Sequence, residues 1–80
     1  MKKEIFRLYL QEDNSEMERL ASIVKRYFDG YVNVSIEKVK FGDDISVCMY
    51  THNLSPQKCK IAEALVWGNY FGWKKETFGQ

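Results

Sequence analysis

Eighty residues, 45% hydrophobic and 15% aromatic, supply enough apolar surface for one small core and too little for two, so a single domain over 1–80 is expected. Twelve Lys and Arg against eleven Asp and Glu leave a net charge of +1, which excludes the global basic field behind sequence-independent polyanion binding. No apolar run approaches the ~20 residues of a bilayer span, and the opening Met1-Lys2-Lys3-Glu4-Ile5-Phe6-Arg7 lacks a signal-peptide core, so a cytoplasmic chain without membrane contact is expected.

Residues 3–10 alternate, with Phe6, Leu8 and Leu10 on one face and Ile5, Arg7 and Tyr9 on the other, which predicts a strand with one apolar and one mixed face. The polar run Gln11 to Asn14 breaks it. Ser15 followed three residues later by Glu18 predicts a capping box, and Met17, Leu20, Ala21, Val24, Tyr27 and Phe28 then form one helical stripe opposite Glu16, Glu18, Arg19, Lys25 and Arg26. Asp29-Gly30 ends that helix, with Gly30 expected as the left-handed residue C-terminal to it.

Val32, Val34 and Ile36 predict a second strand, but Val39 and Phe41 are out of phase with them. A bulge near Glu37-Lys38 would return both to the apolar face, unless the strand twists off the core there. Gly42-Asp43-Asp44 predicts a tight hairpin turn into a third strand, with Ile45, Val47 and Met49 on one face and Ser46, Cys48 and Tyr50 on the other. Ser55 as N-cap, Pro56 at the first helical position and Leu54 placed against Cys59 open a second helix. Its inward stripe is Cys59, Ala62, Leu65, Val66, Asn69 and Tyr70, while Ile61 and Trp67 fall off it. The alternation over 73–78 predicts a short closing strand.

The order β-α-β-β-α-(β) is that of an α+β, ferredoxin-like split βαβ fold: a sheet with both helices on one face, the first and third strands adjacent, and the other face open. Chemistry is poorly represented. One histidine, no Gly-x-Ser-x-Gly and two cysteines without C-x-x-C spacing argue against nucleophilic catalysis, a redox pair or structural zinc. Cys48 and Cys59 are expected as buried reduced thiols, and His52 as a loop residue beside Asn53. Glu12/Asp13 and Asp43/Asp44 sit where caps and turns want acids, and the glycines at 68, 72 and 79 do not make a phosphate loop. No catalytic residue, cofactor or metal is therefore assigned.

Two surfaces remain. The open sheet face would show Arg7, Tyr9, Tyr31 and Tyr50 beside Asn33, Ser35 and Ser46, a set that suits base stacking or a protein contact. The RNP1 pattern of RNA-recognition motifs is missing. The cluster Trp67, Tyr70, Phe71, Trp73 and Phe78, joined by Ile61, exceeds what a small core absorbs easily. It predicts partner docking through Trp67, Phe71, Trp73, Phe78 and Ile61, in a homodimer or on a different protein.

Arg7-Leu8-Tyr9 and the corner Tyr27-Phe28-Asp29-Gly30-Tyr31 resemble the start of small phage and mobile-element proteins, over about the first 35 residues. The resemblance implies an accessory protein of a mobile element. Stoichiometric inhibitors of host defence, anti-CRISPR proteins among them, are similar in size and in lacking catalytic motifs. The function expected is thus a non-enzymatic interaction protein that occludes a host or phage complex, with a single-stranded nucleic-acid module on the open face as the alternative and a small enzyme third.

Overall fold

The computed structural model describes residues 2–10 and 13–70. Five elements follow in order: β1 (Lys2–Tyr9), α1 (Ser15–Tyr27), β2 (Asn33–Phe41), β3 (Asp44–His52) and α2 (Pro56–Asn69). The fold is α+β, an antiparallel sheet ordered β1-β3-β2 with two helices. The first and third strands are adjacent, as their patterns predict. The expected closing strand at 73–78 lies outside the described residues.

The core lies between the sheet and the helices. Phe6, Val47 and Met49 from the sheet meet Met17, Leu20 and Val24 of α1 and Ala62 and Val66 of α2, all almost fully removed from water. Burying a side chain of this size contributes roughly 1.5–3 kcal/mol, so these few residues dominate the apolar stabilisation of so short a chain. Tyr27 departs from the predicted α1 stripe. It sits in the last helical turn, beyond the sheet's cover, and is 57% exposed while its neighbour Phe28 packs on the core.

The bulge is in β1, not in β2. Pairing of β2 with β3 runs without a register shift from Asn33↔His52 to Phe41↔Asp44. In β1 the register slips between Glu4 and Phe6, so Ile5 is the extra residue and both Ile5 and Phe6 are buried. Two adjacent large apolar residues cannot both face the core of a regular strand, and the bulge resolves that conflict. Val39 and Phe41 consequently face away from the helices, and Phe41 is half exposed.

The helix ends differ from expectation by one residue each. Asn14 is the N-cap of α1 and its side chain makes no capping bond, so the predicted Ser15/Glu18 box does not form. Asp13 takes over the local bonding: its carboxylate accepts from the Ser15 amide (3.0 Å) and hydroxyl (2.8 Å). At the other end the Asp29 amide donates to the Arg26 carbonyl (3.1 Å) and the Gly30 amide to that of Lys25 (2.8 Å), a Schellman motif. Asp29 therefore occupies the left-handed position expected of Gly30 (φ +55°), and Gly30 follows at φ +78°. Gly42 turns the hairpin at φ +59°. Ser55 caps α2 as predicted, its hydroxyl accepting from the Lys58 amide (3.3 Å), with Pro56 at the first position.

Candidate interaction surfaces

The sheet face away from the helices carries, rung by rung, Lys2–His52–Asn33, Glu4–Tyr50–Ser35, Arg7–Cys48–Glu37 and Tyr9–Ser46–Val39, ending on Asp44–Phe41. Of the residues predicted there, Arg7, Tyr9 and Tyr50 belong to it. Tyr31 does not: it precedes β2, outside the sheet, and is 93% exposed. Phe41 was not predicted for this face. The signal was its phase, which matched Ser35 and Glu37 rather than Val34 and Ile36.

The face is knitted together by its own charges. Lys2 Nζ lies 2.6 Å from a Glu37 carboxylate oxygen and 4.5 Å above the Tyr50 ring. Arg7 pairs with Glu4 through its Nε (3.1 Å), and its guanidinium lies 4.4 Å above Phe41. Beneath this layer Ser46 and Cys48 are fully buried. Burial, and then the neighbouring Glu4, push the Cys48 thiol up from its ordinary value, which keeps it protonated and unreactive. Each cation here already has an anionic partner, so the face offers a phosphate backbone no uncompensated positive row.

Those pairs have a pH consequence. The Arg7 guanidinium holds Glu4, and the Lys2 ammonium holds Glu37, below their ordinary value of 4.5. Asp13 is lowered from 3.8 by the Ser15 amide. A carboxylate whose folded pKa is depressed stabilises above the unfolded value, and that stability is lost as pH falls through the folded one. Urea midpoints should therefore be flat from about pH 7 to 5 and fall below about 4.5, and Glu4→Gln with Glu37→Gln should flatten the acid limb. An acid limb as steep in the double variant as in the parent would show that these pairs add nothing.

One contact brings together residues that sequence spacing kept apart. His52 is the last residue of β3, not a loop residue, and its Nε2 lies 2.9 Å from Ser35 Oγ, which is 3.3 Å from Glu37. A serine nucleophile needs its hydroxyl to donate to the imidazole and the second ring nitrogen to be held by a third group. The arrangement that uses every contact runs the other way. The imidazole N–H donates to Ser35, Ser35 donates to Glu37, and Glu37 is held by Lys2. As such it ties β2 to β3.

The second surface is the outer side of α2. Ile61 (39% exposed) and Trp67 (41%) lie there with Ala64 and Gly68, opposite the buried Cys59, Ala62 and Val66. Trp67 is held by edge contacts, its ring 4.8 Å from Phe6 and 6.3 Å from Tyr70. It is thus a fixed aromatic rather than a loose one. Phe71, Trp73 and Phe78 lie outside the described residues. No described helix is long and apolar enough to cross a membrane, and no described group of three His, Cys, Asp or Glu is placed to hold a metal ion. No family model, curated protein or solved structure matches the chain.

Proposed function

We propose that the chain is a non-enzymatic interaction protein that works by covering a surface of a protein partner with the outer face of α2. The observation that carries this reading is a 41% exposed Trp67, held edge-on by Phe6 and Tyr70, on a helix whose inward stripe is already buried and which also exposes Ile61. Fixed aromatics flanked by aliphatic surface supply most of the energy of protein contacts, because little side-chain entropy is lost when they bind. Ala64 and Gly68 let another helix approach closely, which suits either a different protein or a second copy of this chain.

The resemblance of the first 35 residues to phage and mobile-element proteins supports a mobile-element accessory protein, and the chain's size and lack of catalytic motifs suit an inhibitor of a cytoplasmic host-defence complex of the CRISPR type. The sheet order β1-β3-β2, with the helices packed on the sheet, supports the ferredoxin-like arrangement. A second reading, a single-stranded nucleic-acid module on the open face, draws on Tyr9, Phe41 and Tyr50 beside Arg7 and Lys2. The internal pairing of both cations weighs against it.

Ile61→Arg separates these readings, since Ile61 is exposed and its replacement leaves the core intact. Host-lysate capture should recover a defined partner with the parent chain, lose it with Ile61→Arg, and keep it with Tyr9→Ala. Capture of the same partner by both variants would overturn the α2 assignment. Low-salt anisotropy with single-stranded DNA and RNA tests the second reading, and tight binding abolished by Tyr9→Ala would put the open face first.

A further inference from the structure

The sheet ends on β2, whose only strand neighbour among the described residues is β3. Every second residue of such an edge points its amide and carbonyl away from the sheet, so the nine residues from Asn33 to Phe41 offer a row of backbone donors and acceptors. The side chains of this edge are ordered along its length. Cross-strand partners share a face, and Val34, Ile36, Lys38 and Lys40 stand opposite Thr51, Met49, Val47 and Ile45, which puts all four on the helix side. Val34 and Ile36 pack on the core yet stay half-buried, while Lys38 and Lys40 are exposed and form no ion pair among the described residues. The nearby acids Glu37 and Asp44 lie on the opposite face, and Glu37 is already held by Lys2.

We propose that this edge takes an added antiparallel strand from a protein partner, an extended segment of the pattern acid-x-acid-x-apolar-x-apolar. Antiparallel addition continues the sheet's own geometry. It sets the two acids opposite Lys40 and Lys38 and the two apolar residues opposite Ile36 and Val34. Main-chain bonds hold the segment, and the lysines select it. The lysines also exclude a second copy of the chain. Two β2 strands paired about a two-fold axis set each lysine opposite Val34, Ile36 or another lysine in every register, never opposite an acid, so self-addition desolvates or repels charge.

The inference does not rest on the α2 docking role. It uses the far edge of the sheet, since α2 packs against β1 and α1 against β2.

The test is fluorescence anisotropy of the full chain with the labelled peptide Thr-Glu-Thr-Glu-Thr-Ile-Thr-Val-Thr. At low salt this peptide should bind about tenfold more tightly than its counterpart with Lys for both Glu, because two cross-strand charge pairs change sign at once. Lys38→Glu with Lys40→Glu should invert that preference, and Ile61→Arg should leave it unchanged. Amide exchange should slow at alternate residues of β2 when the acidic peptide binds, with α2 unaffected. Should the double variant fail to fold, the two peptides on the parent chain decide alone. No binding of the acidic peptide at about 1 mM would overturn the proposal and leave the lysines as a guard that keeps the edge closed. Equal binding of the two peptides, or protection located in α2, would also sink it. So would slow β2 exchange in the free chain that is lost on dilution, because a second copy would then be the occupant.

Discussion

Phe6→Ala should lower the unfolding free energy by roughly 3–5 kcal/mol, the range for removing a buried aromatic ring. Phe6 is 2% exposed and packs edge-on against two rings of the α2 end, Trp67 at 4.8 Å and Tyr70 at 5.1 Å. Its loss therefore opens a cavity and frees the C-terminal end of α2 from the sheet at once. Small domains have only about 5–15 kcal/mol in total, so the variant should be partly unfolded at 37 °C. Urea denaturation followed by circular dichroism measures this. A midpoint within error of the parent would mean that the α2 end is not seated on β1. Leu10→Ala, four residues past Phe6 on that face and 37% exposed, should cost less than about 1 kcal/mol and serves as the control.

The second large effect is expected at Leu20. It is completely buried in the middle of α1, so Leu20→Ala should cost about 2–5 kcal/mol, whereas Tyr27→Ala, on the same helical stripe, should cost under about 1 kcal/mol. The contrast tests where the sheet's cover stops. Equal losses at both positions would place Tyr27 in the core.

That stripe shows what local pattern can and cannot convey. Met17, Leu20, Ala21 and Val24 are legible because helical period alone aligns them, while Tyr27 continues the period past the edge of the sheet, a boundary set by the tertiary fold. The start of α2 was legible to the residue, since Ser55, Pro56 and Cys59 act through contacts within one turn. The start of α1 was not: Asp13, Asn14 and Ser15 are all competent caps, and which one is used depends on how the chain leaves β1. The bulge was inferred from the wrong strand because Val39 and Phe41 look misplaced only if all large apolar residues must face the helices. Arg7 covers Phe41 from a strand 34 positions away, a contact no local period reveals. The sheet-face aromatics were recognised through Tyr9 and Tyr50, and Phe41 was missed for the same reason. The Ser35–His52 contact likewise appears only once β2 and β3 are in register.

The placement of the two cysteines gives the molecule a pair of internal reporters. Cys48 lies under the Glu4–Arg7 layer on the open side of the sheet, and Cys59 lies in the first turn of α2 with its sulfur 3.8 Å from the Leu54 carbonyl and 3.9 Å from Thr51 Oγ1. Both are free and sealed from water. A thiol reagent can reach Cys48 only when β1 and its covering side chains lift, and Cys59 only when the start of α2 detaches. Labelling rates at the two sulfurs therefore time the opening of opposite sides of the sheet separately, in the native chain and without any introduced probe.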